Sequence, residues 1–560
     1  MYFLRRTIIL IIIILAVYFG LSALRQHFDP TASHLDKNSE DVLWINTSKS
    51  WLDREACRWI SLCGLTHWHP DPAVKPWGNY WREKRQRKFM TSIDKEIGSC
   101  NRGTKRGGGK KETEDLPVDG ASRRSGKWEG DPRLLKKVPK YVIDHAPLVH
   151  LYSKEYFWPS DFAEHLVHTT PYLNHTPFNL SNNPYTLYNL HELNEEYDGE
   201  HIFMHSNDDV EQRPNWLGSA YNLPTSHDDD HNEQEIDQSH DEMREKYFDP
   251  PQKQSQAQLR DWPYRARKID LRRSQMHNNQ HLLKNSSIIQ FSSSSHQNSS
   301  GYSRAPSILV IVDKGSNIVD AFWFYFYSYN LGTTVSNIRF GNHVGDWEHS
   351  LIRFQNGVPE SVFLSAHSGG LAYDWEAVEK GKEKGQEGRP ILYSAVGSHA
   401  MYATPGKHPY ILPFSLLADV TDKGPLWDPA LNYVAYHYNT SITHNADARS
   451  IANASFSSSN YSTFDTNSSL AEEKYDSFRP AACNPSAPLG WWWYDGHWGD
   501  KFYELHDWRQ WRFFGQYHYV NGPFGPRFKN LGRAKVCQSG PSCRIVKKLS
   551  EKRSWIRIYQ

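Results

Sequence analysis

The stretch of this sequence best suited to chemistry is Gly341–His349, GNHVGDWEH. If a strand begins at Asp346, the two-residue alternation of a strand places Asp346 and Glu348 on the same face. His343 reaches that face from the preceding loop, which glycines flank. Carboxylate oxygens are the ligands that Mg²⁺, Ca²⁺ and Mn²⁺ prefer, and an imidazole also admits Mn²⁺ or Zn²⁺. The stretch therefore predicts a divalent cation site made of His343, Asp346 and Glu348.

Two other roles for these carboxylates stay open. A carboxylate pair can act as general acid and base, provided that burial or the neighbouring charge raises one of the two pKa values. In a purely structural role, Asp346 and Glu348 would bind turn amides or pair with Arg339 or Arg353. The residues alone do not decide between these roles.

Two further islands, SAHSGG and GSHA, place a histidine beside small residues at a strand end. Their histidines, His367 and His399, are candidates for lining the same cleft. A serine hydrolase is not favoured, because the chain has no GxSxG motif and a Ser beside a His on a strand points away from it. We interpret His349 and His437 as core or surface histidines.

The elements that must position these residues are aromatic and β-branched runs broken by Gly, Pro, Asn and Asp. Asn356-Gly357 predicts a hairpin, and no long run of helical period competes with the strands. The fold class that we expect is mainly β, an antiparallel β-sandwich with short helices, polar disordered insertions and an N-terminal transmembrane helix. The predicted strands are Ser307–Asp313, Ile318–Tyr329, Asp346–Phe354, Ser361–His367 and Ile391–Val396.

The overall composition excludes several classes of protein. In 560 residues, 64 Lys and Arg face 63 Asp and Glu, so no net field attracts the chain to nucleic acid. The 14% aromatic content argues against wholesale disorder, and 38% hydrophobic residues are too few for a polytopic membrane protein.

An apolar, uncharged run at the N-terminus, Thr7–Leu24, is long enough to cross a bilayer as a helix. We interpret it as a signal-anchor, because Leu21 stands where a cleavage site needs a small residue, although a cleaved signal stays an alternative. Arg5 and Arg6 keep the N-terminus cytoplasmic. We therefore expect a single-pass membrane protein with its bulk in the lumen of the endomembrane system or vacuole.

Cysteines and glycosylation motifs agree with a lumenal address. Six cysteines predict disulfides, with fifteen possible pairings, while zinc is the weaker alternative because no CxxC pair occurs. The cysteines are Cys57, Cys63, Cys100, Cys483, Cys537 and Cys543. The glycosylation motifs start at Asn46, Asn174, Asn179, Asn285, Asn298, Asn439, Asn453, Asn460 and Asn467.

Charge and polarity divide the chain. Arg82–Lys137 carries 17 Lys and Arg against 9 Asp and Glu, whereas Glu192–Asp249 carries 18 acidic against 3 basic residues. In order, the predicted segments are a cytoplasmic N-terminus (1–6), the transmembrane signal-anchor (7–24), a cysteine-containing lumenal segment (25–81), a disordered basic linker (82–137), the start of the folded domain (138–191), a disordered acidic, His- and Ser-rich insertion (192–304), the core of the β-sandwich domain (305–439), a glycosylated insertion (440–473) and the Trp-rich C-terminal part (474–560).

The C-terminal part concentrates aromatic residues, among them Trp491, Trp492, Trp493, Trp498 and Trp508. Exposed rings of this kind would make a platform for sugar or lipid. Rings that fill the core are the preferred interpretation.

Long ordered motifs give the chain a family resemblance. They are VPKYVIDHAPLVHLYSKEYFWPSDFAEHLV at 138–167, VDKG, VDAFWFYFYSYN, FGNHVGDWEH, SAHSGG, GRPILYSAVGSHAMYATPGKH and WDPALN within 305–428, and GHWGD with GPFGPRFKNLGR near the C-terminus. In these motifs the chain resembles the fungal vacuolar protein sorting-associated protein 62 family. The resemblance implies a membrane-linked protein of the fungal endomembrane system that takes part in vacuolar protein delivery, in a family without an established enzymatic reaction.

GNHVGDWEH followed by SAHSGG is also similar to the necrosis-inducing, cytolytic toxin-like proteins, whose β-sandwich carries the heptad GHRHDWE. That resemblance implies that His343, Asp346 and Glu348 bind a divalent cation used to recognise sphingolipid sugar head groups. Gly345 replaces the second histidine of the heptad. A further upstream aspartate has Asn330 as its nearest counterpart.

Taken together, these features favour a non-enzymatic, membrane-anchored lumenal protein of vacuolar trafficking that recognises a glycan or lipid head group through Mg²⁺, Ca²⁺ or Mn²⁺. One alternative is a metal-dependent hydrolase of glycolipids or phosphoesters, in which Asp346 or Glu348 activates water and His367 or His399 assists. The other is a structural scaffold without a ligand. Nucleic acid is not an expected partner, and the sequence does not set the oligomeric state.

Overall fold

A computed structural model describes most of the chain outside its polar stretches. The described residues are 9–14, 16, 17, 20, 29, 35–70, 100, 132–178, 185–196, 199–224, 301–411, 417–442, 476–538 and 543–549. Within them, no helix is both long enough and apolar enough to cross a bilayer. The predicted anchor (7–24) is described only in short pieces, and most of the basic linker and of the glycosylated insertion lies outside the described residues.

The described residues form short helices and many strands. The helices are α1 (Leu35–Thr47), α2 (Trp51–Ile60), α3 (Lys140–Asp144), α4 (Phe162–Val167), α5 (Leu193–Glu196) and α6 (Asn215–Gly218). The strands are β1 (Leu62–Cys63), β2 (Leu148–His150), β3 (Thr169–Leu173), β4 (Thr176–Pro177), β5 (Ile202–Ser206), β6 (Ser307–Gly315), β7 (Ile318–Asn330), β8 (Thr333–Val335), β9 (Ile338–Phe340), β10 (His343–Gln355), β11 (Val358–Ala366), β12 (Gly369–Asp374), β13 (Ile391–Ser394), β14 (Met401–Tyr402), β15 (Gly406–Ile411), β16 (Leu417–Thr421), β17 (Leu426–Trp427), β18 (Tyr433–Tyr438), β19 (Phe478–Pro480), β20 (Arg512–Phe513), β21 (Gln516–Tyr517) and β22 (Ile545–Val546).

The largest sheet has eight strands in the order β19-β18-β6-β7-β10-β11-β12-β22. Its neighbouring strands are antiparallel except where β18 meets β6 and where β12 meets β22. The predicted hairpin is present: Asn356 and Gly357 both have positive φ, 52° and 76°, and connect β10 to β11. The mainly β class with short helices is confirmed, and the sandwich arrangement stays a prediction.

Both faces of the central strands are buried, which explains why β7 reads as one continuous hydrophobic run. On one face, Phe322, Phe324 and Phe326 belong to the same apolar cluster as Trp347. On the other face the cluster contains Trp323, Tyr325, Tyr327, Leu392 of β13 and Trp427 of β17. A shorter four-stranded sheet, β14-β13-β2-β17, therefore contributes side chains to the second face.

The aromatic C-terminal part packs mostly into the core. Trp491, Trp492, Trp493 and Trp498 are at most 2% exposed and join the first apolar cluster. Trp508, Phe514 and Phe528 are exceptions, with 52%, 41% and 42% of their surfaces exposed. For most of these rings the preferred interpretation, core packing, is the one that the structure shows.

Part of the predicted polar insertion is folded. Residues 199–224 contain β5, which pairs with β3, and bury Ile202, Met204 and Leu217 completely. The composition of 192–249 is dominated by its 18 acidic residues. A short apolar run such as β5 is not visible in that average. Residues 197, 198 and 225–300 of the insertion lie outside the described residues.

The N-terminal helices α1 and α2 were not predicted individually. The hydroxyl of Ser50 accepts the amide of Asp53 at the start of α2 (3.2 Å). The buried carboxylate of Asp53 accepts the amides of Gly64 and Leu65 at 3.0 and 3.1 Å, which fixes the turn after β1. Across that turn, β1 pairs with β20, so the N-terminal segment is attached to the aromatic C-terminal part.

The six cysteines form three disulfides. Two of them, Cys57–Cys63 and Cys537–Cys543, are local, and Cys100–Cys483 joins residues 383 positions apart. Cys100 also exchanges backbone hydrogen bonds with Tyr433 at 2.9 and 3.2 Å. The structure thus supports the disulfide prediction over the zinc alternative.

Of the nine glycosylation motifs, three lie on described residues. Asn46 and Asn439 are exposed, and Asn174 is half-buried in a turn, where its side-chain oxygen accepts a hydrogen bond from Lys501 at 2.9 Å. The motifs that lie outside the described residues start at Asn179, Asn285, Asn298, Asn453, Asn460 and Asn467.

The long-range disulfide yields a stability prediction. Replacing Cys100 and Cys483 together by Ser should lower the free energy of unfolding by about 2 to 5 kcal/mol, because the unfolded chain gains the freedom of a very long loop. Urea unfolding without reductant measures this loss. The Cys537→Ser, Cys543→Ser pair is the matched control and should cost less, and equal losses for the two pairs would contradict the loop-length explanation.

Candidate metal centre

The site is built on the pairing of β10 with β7. His343 lies opposite Asn330, Asp346 opposite Tyr327, and Glu348 opposite Tyr325. Asp346 and Glu348 share the face of Tyr325 and Tyr327, as strand alternation predicts.

Strict alternation would turn His343 to the other face of β10. Gly345, between His343 and Asp346, has φ 68°, a conformation that interrupts the alternation. A Cβ on Gly345 would also lie 2.2 Å from the backbone oxygen of Trp498. Glycine is therefore required here, and it lets His343 line the same cavity as the two carboxylates.

That cavity has a volume of about 290 Å³. It brings together all three predicted metal ligands and two of the three predicted cleft residues. Its polar lining includes Asn330, His343, Asp346, Glu348, His367 and Lys529. His399 does not line the cavity, but its ring is hydrogen-bonded to Asp346, which does.

The His343 ring is oriented by its own strand. Its Nδ1 lies 2.7 Å from the backbone oxygen of Gly345, and because a carbonyl only accepts, Nδ1 carries the hydrogen. Burial lowers the pKa of His343, and the charge of Asp346 offsets only part of that effect. The neutral ring then keeps a lone pair on Nε2, for which the described residues provide no hydrogen-bond partner.

Asp346 is held by His399. The Nδ1 of His399 lies 2.9 Å from Oδ2 of Asp346, and its Nε2 lies 3.0 Å from the backbone oxygen of Phe157. Burial alone would lower the pKa of His399, but the hydrogen bond to Asp346 and the charges of Glu155 and Asp346 outweigh it, so the pKa is raised. Both ring nitrogens face acceptors, which fits an imidazolium paired with a carboxylate.

His399 is also fixed from its face. The ring of Tyr327 stacks on it with centroids 3.7 Å apart and planes 3° apart. Only Oδ2 of Asp346 is committed to His399. The other oxygen, Oδ1, has no hydrogen-bond partner in the described part of the chain.

Glu348 is 3% exposed, and one of its oxygens, Oε2, accepts the hydroxyl hydrogen of Ser365 on β11. Burial, and next the negative charge of Asp346, raise the pKa of Glu348 to about 7. Two acids that share a buried cavity therefore disfavour each other's ionisation. A bound cation would offset the repulsion between the two carboxylates.

The purely structural pairing considered for these acids is absent. Arg353 makes a bidentate ion pair with Asp320, at 2.7 and 2.8 Å, and Arg339 donates to the backbone oxygen of Gly332. Neither arginine is paired with Asp346 or Glu348 among the described residues.

A second carboxylate and histidine pair lies at the same cavity. The Nε2 of His367 lies 2.8 Å from Asp419, which also accepts the hydroxyls of Ser398 at 2.7 Å and Tyr402 at 2.6 Å. Burial would raise the pKa of Asp419 and lower that of His367. Their hydrogen bond and mutual attraction reverse both shifts.

Asp419, Tyr402 and Lys529 were not among the predicted site residues. No motif in the sequence places Asp419 near His367, because the contact is long-range and lies between separate sheets. Lys529 belongs to the GPRFKN motif that carried the family resemblance, but the motif itself suggested no role.

The serines give no nucleophilic dyad. Ser365 donates to Glu348 and Ser398 to Asp419, so neither hydroxyl donates to a histidine ring. His349 lies in the core between Phe322, Phe324 and other rings, in agreement with its interpretation as a core histidine.

The donor chemistry fits a hard divalent cation, but the donor spacing is loose. Within the described ranges, the one set of three or more acidic, His or Cys donors that lie within 4.8 Å of one another is Asp41, Cys57 and Cys63. Cys57 and Cys63 form a disulfide, and therefore this set offers no thiolate to bind a metal. The donors of His343, Asp346 and Glu348 face one cavity at wider spacing, which suits a cation that keeps water ligands.

Glu348 yields a pH-dependent prediction. Its folded pKa, about 7, exceeds the ordinary value of 4.5, so without a cation the folded state loses stability as pH rises from 4.5 through 7. Glu348→Gln removes this loss and should stabilise the protein at pH 8 relative to pH 5 by up to about 3 kcal/mol.

Urea unfolding in chelator at both pH values measures the difference. Glu360→Gln, an exposed acid on the neighbouring strand, is the matched control and should show no such gain. A Glu348→Gln effect that is the same at pH 5 and pH 8 would contradict the raised pKa.

Comparison with known proteins places this geometry in a family. The sequence profile described as vacuolar protein sorting-associated protein 62 matches residues 315–411, which hold His343, Asp346, Glu348 and His399. The Saccharomyces cerevisiae protein TDA6 is 34% identical over 421 residues, covering 72% of this chain and 68% of that protein. Vacuolar protein sorting-associated protein 62 of the same organism is 31% identical over 428 residues, with the same coverage.

Among solved structures, the crystal structure of Necrosis and Ethylene inducing Protein 2, from the causal agent of cocoa's Witches Broom disease, aligns over 19% of this chain and 50% of its own. The identity is 18% and the TM-score is 0.14, values too low to inform the fold described above. The identity and coverage shared with the two yeast proteins show that this chain belongs to the vacuolar protein sorting-associated protein 62 family.

Proposed function

We propose that this chain serves vacuolar protein sorting as a membrane-anchored, lumenal β-sandwich protein, and that it recognises a glycan or lipid head group through a divalent cation. The cation would be held by His343, Asp346 and Glu348. The names of its relatives support the sorting role. The geometry of the cavity supports the recognition.

The observation that carries the cation is the way in which each donor is oriented. One atom of each side chain is committed to a neighbour: Nδ1 of His343 to Gly345, Oδ2 of Asp346 to His399, and Oε2 of Glu348 to Ser365. Metal ligands in proteins are commonly oriented in this way by a hydrogen bond through their other atom. The second atoms, Nε2, Oδ1 and Oε1, are then available for an ion.

The cation would supply Lewis acidity and a coordination site for ligand hydroxyls. Mg²⁺ and Ca²⁺ accept oxygen ligands and exchange bound water for them. A cavity of about 290 Å³ is just below the usual range for small-molecule sites, and it suits one sugar ring or one head group rather than a long chain. Asn330 adds a polar side chain to the lining.

Other features support the lumenal address. Disulfides persist in oxidising compartments, and all six cysteines are paired. Asn46 and Asn439 present their glycosylation motifs at the surface. The predicted anchor precedes these segments, so all of them would lie on the same side of the membrane.

A metal titration tests the site. Purified full-length chain in detergent should bind Ca²⁺, Mg²⁺ or Mn²⁺ in calorimetry. Asp346→Asn combined with Glu348→Gln should weaken that binding by more than about tenfold, because it removes both ionised oxygen ligands.

Asp313→Asn combined with Glu360→Gln is the matched control, since both of these acids are exposed on the same sheet and the change in charge is identical. Equal affinity in the site variant and wild type would refute the cation site and leave the ligand-free scaffold as the better account.

Topology is tested separately. In sealed microsomes, added protease should leave the bulk of the chain intact, and glycosidase should increase its mobility on a gel, because a signal-anchor held by Arg5 and Arg6 puts the rest in the lumen. Detergent-permeabilised microsomes are the control. Digestion of the chain in sealed vesicles would exclude a lumenal location.

A further inference from the structure

The two N-terminal helices expose a group of large apolar side chains. The exposed fractions are 50% for Val42 and 55% for Leu43 on α1, and 68% for Trp51 and 62% for Leu52 on α2. Thirteen large apolar side chains are exposed among the described residues between 29 and 549, and these four fall within eleven positions. Single exposed apolar residues are ordinary, whereas a group of them marks a contact surface. We call these four residues the outer cluster.

The packing of α1 against α2 holds the outer cluster together. The indole Nε1 of Trp44 donates to Oδ1 of Asp53 at 3.3 Å, and both residues are buried. Trp44 directly follows Leu43, and Asp53 directly follows Leu52, so this hydrogen bond joins the helices beside both exposed pairs. The surface is therefore preformed, and a partner that binds it has little ordering to do.

The polar residues around the outer cluster are basic or neutral. Among residues 39–60, the exposed side chains are Ser39, Val42, Leu43, Asn46, Thr47, Lys49, Trp51, Leu52 and Arg58. None of these is acidic. The acids of the same stretch are buried or paired with an arginine, namely Glu40, Asp41, Asp53 and Glu55. Apolar side chains with basic but no acidic neighbours are typical of segments that lie on a membrane surface.

The outer cluster also lies close in sequence to the predicted membrane anchor. Ten residues separate Leu24, the end of that anchor, from Leu35, the first residue of α1. Even when fully extended, a chain of this length spans at most about 40 Å. A short tether keeps the bilayer at a high effective concentration, so even a weak contact with its surface is populated.

We propose that α1 and α2 lie against the lumenal surface of the bilayer, with the outer cluster in its interfacial layer. This inference rests on the proposed function, since it takes the predicted anchor as the tether. Trp51 is the central contact, because indole rings favour the boundary between head groups and acyl chains. The other three side chains add apolar area.

This contact fixes the folded domain relative to the membrane. Arg512 of the C-terminal part is fully buried and pairs with Asp41 on α1. In addition, β1, which follows α2, pairs with β20. The helix pair is thus attached to the domain on one side and to the bilayer on the other.

Site-specific fluorescence of the full-length chain in phosphatidylcholine proteoliposomes tests the contact. All six cysteines are paired, so a single added cysteine can carry a nitrobenzoxadiazole label. We expect spin-labelled phosphatidylcholine to quench the label at Val42→Cys and at Trp51→Cys. The matched control is Val358→Cys, an apolar position on β11 that is 66% exposed, where the label should keep its fluorescence.

A further variant asks whether the outer cluster itself makes the contact. Leu43→Ser combined with Leu52→Ser should reduce the quenching at Val42→Cys, because it removes apolar surface from the bilayer. Val358→Ser combined with Ile545→Ser removes two exposed apolar side chains elsewhere and should leave that quenching unchanged. Equal quenching in the two double variants would overturn the proposal.

The state of Asn46 gives an independent check. Asn46 is exposed on α1 one turn after Val42 and Leu43, so a glycan there would cover the same surface. The proposed contact therefore requires an unmodified Asn46, and Asn46→Gln should leave the mobility of the chain on a gel unchanged. An increase in mobility would assign the surface to a glycan and overturn the contact.

Alkaline extraction of the proteoliposomes separates this inference from the anchor on which it rests, because it removes surface-bound chains and leaves spanning ones. Retention of the chain without quenching at Val42→Cys would uphold the anchor and overturn the contact. Extraction of the chain would refute the anchor, and the quenching recorded beforehand would then decide the contact alone. A label that is shielded from aqueous iodide but not quenched by the lipid would assign the surface to protein, either a second copy or residues 71–99, and would also overturn the contact.

Discussion

The pairing of β7 with β10 is the constraint on which the rest of the structure depends. Twelve residue pairs hold these strands in register, and nearly all of their side chains are buried. A slip of one residue would transfer Asp346 and Glu348 into the apolar cluster of Phe324, Phe326 and Trp347, where burying a carboxylate is costly. The register thus positions two acids on a face that otherwise carries mostly apolar and aromatic side chains, and the surrounding segments must accommodate them.

Each acid is accommodated by a group from a different part of the chain. His399, which follows β13, pairs with Asp346, while Ser365 on β11 donates to Glu348. Asp419 on β16 plays the corresponding role for His367. The cavity is therefore assembled from long-range contacts, and its electrostatics follow from burial that is only partly compensated.

Local patterns predicted much of this arrangement. The alternation in DWE put Asp346 and Glu348 on one face, and the Asn356-Gly357 turn fixed the neighbouring hairpin, because both depend on short-range backbone rules. Neither Asp419 nor Lys529 could be predicted, since their contacts join segments far apart in sequence. Composition averaged over a long acidic stretch also concealed β5, where only a few residues are apolar.

The disulfide between Cys100 and Cys483 has a consequence for a cleaved chain. The polar stretches 101–131, 225–300 and 443–475 all fall between its two cysteines. Proteases preferentially nick polar segments that they can reach. A cut in any of them would produce two polypeptides that remain covalently joined, with β7 and β10 still paired. As long as this disulfide stays oxidised, a nicked chain therefore remains one covalent assembly.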